Sequence, residues 1–119
     1  MEIRNLGQAE RFTTKDGSTI RELLGLPTSS LVRNQSLAEA TLAPGQATER
    51  HYHRESEEIY FLLEGGGAME LDGEERSVGP GDAILIPPGA WHTLRAGEDG
   101  ARLLCCCAPP YRHEDTFFS

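Results

Sequence analysis

The segment HYHRESEEIYFLL, residues 51–63, decides the fold and locates the chemistry. Its second half is a run of aromatic and aliphatic residues, a pattern typical of a β-strand. Its first half carries His51 and His53, two residues apart. Because successive side chains on a strand point to opposite faces, both imidazoles face the same way. Two imidazoles with this spacing are suited to binding one metal ion.

A second segment, PPGAWH, supplies a third histidine, His92. Imidazole nitrogen binds Zn, Cu, Fe and Ni, and a carboxylate oxygen extends the choice to Mn. Glu58 is the leading carboxylate because it stands five residues past His53, at the start of the apolar run. Glu55 and Glu57 fall in the connecting turn. The pattern predicts a site of three histidines and one glutamate.

Glycine and proline divide the rest of the chain into short strand-like runs. A strand is predicted to begin at Leu94, and others cover 18–24, 36–42, 58–63, 68–71, 74–78, 83–86 and 102–107. Asp72 and Gly73 are typical of a two-residue hairpin turn, and Gly65–Gly67 is expected to break the strongest strand. No helical period is sustained, so we predict an all-β fold, a sandwich or barrel of jelly-roll type.

These residues resemble the two motifs of the cupin superfamily. The first motif matches Gly45, His51, His53, Glu58 and Gly65. The second matches Gly81, Pro87, Gly89 and His92, with Ala96 where the family has an asparagine. That departure concerns hydrogen bonding in the loop beyond the histidine, not the metal ligands. The interval between the motifs, residues 66–80, resembles the shortest, microbial-type spacing.

The resemblance implies a single-domain double-stranded β-helix, the jelly-roll cupin barrel, over residues 36–108. Residues 1–35 form an N-terminal arm of the same domain, and residues 109–119 form a tail. The implied ligands of one divalent transition metal (Fe, Mn, Ni, Co, Cu or Zn) are His51, His53, Glu58 and His92. Single-domain cupins commonly pair by adding an N-terminal strand to a partner's sheet. Since an unpaired edge strand also invites association, we predict a homodimer.

Strand alternation predicts part of the cavity lining. If Glu58 points inward, Tyr60 and Leu62 also point inward. The sequence leaves open whether the strand over 83–86 turns its even-numbered or its odd-numbered residues toward the cavity. Trp91 either covers the pocket mouth or packs outside, and Gln35 and Glu39 are further candidate polar contacts.

The composition restricts the class of partner. The formal net charge is −8, the isoelectric point is near 4.9 and Lys15 is the only lysine, which argues against a nucleic-acid-binding surface. No run approaches the roughly 18 apolar residues of a membrane span, and the first ten residues lack the apolar core of a signal peptide. We therefore expect a cytoplasmic protein that acts on a small molecule.

Two further groups of residues carry less specific signals. Cys105, Cys106 and Cys107 are consecutive, which excludes a spaced disulfide framework and fits a reducing compartment. We interpret them as small core residues, with an approach to the metal if one faces the cavity. His113 and the two acidic residues after it are adjacent rather than spaced for one face, so they indicate a solvated or docking tail.

Two classes of function follow. The first is a small-molecule metalloenzyme, and the resemblance implies dioxygenase, isomerase or lyase chemistry on oxygen-rich compounds. The second is a non-catalytic binding or sensing protein in which the metal anchors a ligand or stabilises the barrel. Tyr60, Glu39 and the cysteines are the nearby candidates for an acid, base or nucleophile.

Overall fold

Strands make up almost all of the regular structure. The computed structural model describes all residues, 1–119. Only two 3-10 turns, Leu6–Gln8 and His113–Asp115, are helical, so the all-β prediction is confirmed. No helix is long and apolar enough to cross a membrane. In chain order the strands are β1 (Arg11–Thr13), β2 (Thr19–Leu24), β3 (Ser36–Leu42), β4 (His51–His53), β5 (Glu57–Leu71), β6 (Glu74–Val78), β7 (Ala83–Ile86), β8 (His92–Ala108) and β9 (Thr116–Phe118).

The nine strands form one curled antiparallel sheet built around β5 and β8. Its main path runs β1-β2-β3-β8-β4-β9, while β5 pairs with β6, β7 and β8. Residues 1–35 contribute β1 and β2, and β1 lies at an edge of the sheet. The hairpin predicted at Asp72 and Gly73 is confirmed, since Leu71 pairs with Glu74 across it.

The glycine run Gly65–Gly67 bends β5 but does not break it, contrary to the sequence prediction. Pairing with β8 continues on both sides and shifts register across the run. Gly65 and Gly66 have φ of 68° and 156°, which only glycine adopts easily. A Cβ at Gly67 would collide with the carbonyl of Arg95. The glycines therefore form bulges that let two long strands curl while staying paired.

The predicted strands beginning at Leu94 and at residue 102 are likewise one strand, β8. The core lies between the curled halves of the sheet, where Leu62, Leu94 and Leu103 are at most 2% exposed. In β7 the even-numbered residues face inward, since Ile86 is 1% exposed whereas Leu85 is 55% exposed. This settles the choice that the sequence left open.

The C-terminal tail returns to the sheet as β9. Thr116 pairs with His53 and Phe118 pairs with His51. On its other side β4 contacts β8, where His51 pairs with His92. The short β4 is thus fixed between two strands that come from distant parts of the chain.

Candidate metal centre

The structure brings the three histidines of the two sequence segments together. His51 and His53 lie at the two ends of β4, and His92 begins β8. One ring nitrogen from each lies within 4.8 Å of the other two. All three are buried, with His92 fully enclosed. The N–H of Gly89 donates to the carbonyl of His53 at 2.7 Å, which ties the loop before His92 to β4.

Each imidazole is oriented by a backbone carbonyl. A carbonyl oxygen only accepts, so the ring Nδ1 in each contact must donate its hydrogen. The proton on Nδ1 leaves the lone pair on Nε2, the tautomer that binds a metal through Nε2. The three Nδ1 to carbonyl distances are 2.7 Å for His51 to Glu49, 3.2 Å for His53 to Asp115 and 3.0 Å for His92 to Ala90.

Glu58 stands beside the imidazoles at the start of β5. Its Oε1 lies 3.2 Å from Nε2 of His53 and 3.6 Å from Nε2 of His92. Oε1 and the Nε2 of His92 are nevertheless both buried without a hydrogen-bond partner. Burying an unpaired polar atom costs on the order of 1–3 kcal/mol. A cation between these atoms would satisfy both, so the donor set fits a metal ion of the transition series.

The electrostatics favour an ionised Glu58 and a neutral His51, the forms that bind a metal, but stabilise the protonated form of His53. Burial opposes ionisation of Glu58, but the adjacent His53 and His92 outweigh it and lower the pKa of its carboxyl to about 2. Burial and the neighbouring His92 lower the pKa of His51 to about 4. Burial also disfavours the charged form of His53, yet Glu58 outweighs it and raises that pKa. At neutral pH the site therefore holds an ionised Glu58 and a neutral His51.

Two of the three cysteines face the cavity. Cys105 and Cys107 line it, and Cys106 lies on the opposite face of β8. The Sγ of Cys107 donates to Oε2 of Glu58 at 3.4 Å. Burial, together with the charge of Glu58, raises the pKa of the Cys107 thiol, so it remains protonated and able to donate. Cys107 is buried in the core and Cys105 packs against it, as expected, whereas Cys106 lies outside the core. Cys107 also holds a candidate ligand, Glu58.

The tail supplies a support that the sequence did not indicate. The buried carboxylate of Asp115 accepts hydrogen bonds from the backbone N–H groups of Arg54, Glu55 and Ser56. These residues form the turn between β4 and β5. Since its carbonyl also accepts from His53, Asp115 holds the segment that joins His53 to Glu58.

His51 and His53 open onto a cavity inside the curled sheet, and His92 lies enclosed behind them. It encloses about 730 Å³, counted with its solvent-open mouth, and 11 of its 21 lining residues are apolar. Tyr60 lies in its wall, and Leu62 lies deeper, in the core next to it. Two acidic residues that sequence reasoning missed, Asp16 and Glu22, also line it, as does Tyr111. No alternation marks them in the sequence, because residues 14–22 are polar throughout except for Gly17 and Ile20.

Three of the residues predicted to line the pocket lie outside the cavity. Glu39 is on the opposite face of β3, where it pairs with Arg21 and Arg102 at 2.7 and 2.9 Å. Gln35 borders a separate surface depression. Trp91 packs outside against Tyr52, with ring centroids 4.6 Å apart.

Residues 38–107 match the sequence profile of the cupin domain. The chain belongs to the cupin family. The matched residues contain all three histidines and Glu58, and the fold is the jelly-roll barrel that the sequence predicted.

Two relatives match this cupin over most of its length. An uncharacterised protein of Methanocaldococcus jannaschii is 50% identical over 106 residues, which cover 88% of this chain and 84% of that protein. Oxalate decarboxylase of Bacillus subtilis is 34% identical over 90 residues, which cover 72% of this chain but 22% of the decarboxylase. The matched region is thus less than a quarter of that enzyme.

Solved structures show the same fold. The Streptomyces nucleoside dehydratase Pac13 has a TM-score of 0.80 at 17% identity, covering all of this chain and 94% of Pac13. The Bacillus oxalate decarboxylase has a TM-score of 0.82 at 22% identity, covering 98% of this chain and 32% of the decarboxylase.

Proposed function

We propose that this cupin is a metal-dependent enzyme acting on a small molecule, with one divalent transition metal held by His51, His53, His92 and Glu58. The reaction is of dioxygenase, isomerase or lyase type. The observation that carries the proposal is the pair of unpartnered buried atoms, Nε2 of His92 and Oε1 of Glu58, which face each other. Two polar atoms in this state are explained by a shared cation.

The comparisons support the catalytic class. One relative is a decarboxylase, and one structural neighbour is a nucleoside dehydratase. Both names describe chemistry on small oxygen-rich molecules.

The chain's own residues prepare the site. Backbone carbonyls hold the three imidazoles with Nε2 inward, and Cys107 holds Oε2 of Glu58. Apolar residues make up 11 of the 21 residues of the cavity wall. When bound, a metal with open coordination positions would supply Lewis acidity to a substrate oxygen or to water.

The second candidate is a non-catalytic cupin in which the metal anchors a ligand or stabilises the barrel. It is supported by the state of Tyr60, a candidate acid or base in the cavity wall. Burial and the charge of Glu58 raise the pKa of Tyr60 well above its usual range, which makes it a poor proton-transfer group at neutral pH. Water relaxation measured on Mn-loaded protein separates the two candidates. An exchanging metal-bound water favours catalysis, and a closed shell favours the binding role.

Elemental analysis of untagged protein tests the metal site. We expect about one equivalent of Fe, Mn, Ni, Co, Cu or Zn per chain in the native protein. The His51→Ala, His92→Ala double variant should lose it. His113→Ala, at an exposed position outside the site, is the matched control and should keep it. Absence of metal from the native protein, with no uptake of added ions, would contradict the proposal.

We also propose a cellular location, a class of partner and an oligomeric state. The three cysteines are free thiols, which supports a reducing compartment such as the cytoplasm. The excess of acidic residues supports a small-molecule partner over a nucleic acid. The unpaired edge of β1 supports a homodimer.

A further inference from the structure

A second polar region lies in the cavity wall, on the N-terminal strands. It consists of Asp16, in the turn between β1 and β2, and Glu22, on β2. Neither belongs to the three-histidine cluster. Both come from the N-terminal segment, outside the residues that match the family profile.

Asp16 presents one carboxylate oxygen to His51. Its Oδ1 accepts hydrogen bonds from the Thr14 hydroxyl and from both the N–H and the hydroxyl of Ser18. Those contacts all end on Oδ1, and Oδ2 lies 3.9 Å from Nε2 of His51. The turn is anchored, since the carbonyl of Asp16 accepts from the N–H of Glu49 at 2.8 Å. A rigid acceptor therefore stands beside the candidate metal centre.

Glu22 is an unpartnered carboxyl group in the same wall. It is 8% exposed, and its Oε1 is buried with no hydrogen-bond partner. It pairs across the sheet with Ala38, whose side chain offers no hydrogen bond. The carboxyl group of Glu22 packs against Gly25, where any side chain would collide with it. A buried carboxyl group held without a partner costs stability, and a ligand that donates to it would remove that cost.

Apart from the proposed metal ion, no cationic group lines the cavity to balance Asp16 and Glu22. Neither Lys15 nor any of the ten arginines lines it. The acidic residues of the lining are Asp16, Glu22 and Glu58, and its other ionisable residues are histidines, tyrosines and cysteines. An anionic substrate would meet Asp16 and Glu22 with no arginine to pair with, which is unfavourable in a partly buried site. A hydroxyl group, in contrast, donates to either carboxylate and accepts in turn.

We propose that the cavity binds an uncharged polyhydroxylated compound whose hydroxyl groups donate to Asp16 and Glu22. This inference deepens the proposed function and rests on it, because the proposed metal centre places the reacting end of the substrate beside the histidines. Apolar side chains such as Ile20 and Leu103, which also line the cavity, contact the carbon skeleton. The substrate class is thus a polyol or neutral sugar and not a carboxylic acid.

Binding of three matched probes tests the proposal. Sorbitol, gluconate and glucamine share a six-carbon hydroxylated chain and differ at one end, which is neutral, anionic or cationic. Calorimetric titration is done on the protein both without metal and loaded with its metal. We expect sorbitol to bind about tenfold more tightly than gluconate, and glucamine serves to detect a preference for a cationic end.

Isosteric variants identify the groups responsible. Asp16→Asn and Glu22→Gln keep the side-chain shape, and each should weaken sorbitol binding about tenfold. Asp99→Asn and Glu75→Gln, at exposed positions, are the matched controls and should bind as the native protein does. Thermal melts establish that all four variants are folded.

The outcomes separate this inference from the proposed function. Sorbitol binding that depends on Asp16 and Glu22, in a protein that takes up no metal, supports the inference and rejects the metalloenzyme. A metal-loaded protein that prefers gluconate or glucamine, or binds none of the probes, overturns the inference and leaves the metal site intact. Loss of metal in Asp16→Asn with unchanged sorbitol binding also overturns it, because Asp16 would then be a metal ligand.

Discussion

The thiol of Cys107 donates to Oε2 of Glu58 across 3.4 Å, on the side of the carboxylate away from His53 and His92. The two oxygens of one carboxylate thus have different partners. Oε1 faces the imidazoles, and Oε2 is held by a neighbouring strand. Cys107 is therefore a positioning residue for Glu58.

Cys107→Ala should weaken metal affinity, because Oε2 loses its donor and Glu58 becomes free to rotate. Outer partners of metal ligands contribute about tenfold or more in affinity. Competition with a chromophoric chelator measures the change. Cys107→Ser, which restores a donor, should recover most of the affinity, and Cys106→Ala on the outer face should leave it unchanged. An unaltered affinity in Cys107→Ala would show that Glu58 is fixed by packing alone.

Asp115→Ala should destabilise the fold, because three backbone N–H groups of the turn between β4 and β5 lose their acceptor. Hydrogen bonds to a charged group are individually strong, so we expect a loss of about 3 kcal/mol in the free energy of unfolding. Urea denaturation measures it. Asp115→Asn keeps one acceptor and should lose less, while the exposed Glu114→Ala should lose almost nothing. Equal stabilities of Asp115→Ala and Glu114→Ala would exclude this role.

The sequence predicted correctly that certain site residues are neighbours where their relative positions depend on local spacing. His51, His53 and Glu58 lie within eight residues, so alternation and one turn fix their relation. Placing His92 beside them required only that its segment pair with β4. Asp16 and Asp115 were missed because long-range pairing of β2 with β3 and of β9 with β4 brings them in.

Register explains the contrast between two glutamates on neighbouring strands. Glu39 was a candidate for the pocket, yet it pairs in register with Arg21 on the outer face. Glu22 lies opposite Ala38, which lines the cavity, so it points inward. A shift of one residue exchanges the two faces of a strand, and the sequence alone does not fix that shift.

Gly67→Ala should destabilise the barrel because the new Cβ would collide with the carbonyl of Arg95, a backbone atom that cannot move aside. Overpacking of this kind costs about 1–3 kcal/mol. Thermal unfolding of the variant measures it. Gly79→Ala, where a Cβ meets nothing within 4 Å, is the control. If both variants melt at the native temperature, close approach of β5 and β8 at this point is not required.

The predicted homodimer has an apolar surface available besides the β1 edge. On the outer face of β5 and β7, Ile59, Phe61 and Leu85 are 41%, 40% and 55% exposed. We expect light scattering to give twice the 13.1 kDa chain mass, and Phe61→Lys to return it to 13.1 kDa. Glu75→Lys, at an exposed position on β6, should remain dimeric. A native mass of 13.1 kDa would contradict the dimer.

Glu22→Gln should stabilise the metal-free protein at neutral pH. Burial raises the pKa of Glu22 above 4.5, so the folded state holds a proton more tightly than the unfolded state does. The contribution of this carboxyl group to stability is then fully present below pH 4.5 and is lost as the pH rises through the folded pKa. Glutamine cannot ionise, so the variant avoids that loss.

The free energy of unfolding of the two proteins, measured from pH 4 to pH 8, should therefore diverge as the pH rises. Glu75→Gln, at an exposed position, should follow the native protein throughout. A constant difference across this range would mean that Glu22 does not titrate within it. Divergence would show that the native chain retains a destabilising carboxyl group in its cavity, which is expected of a residue kept for binding and not for folding.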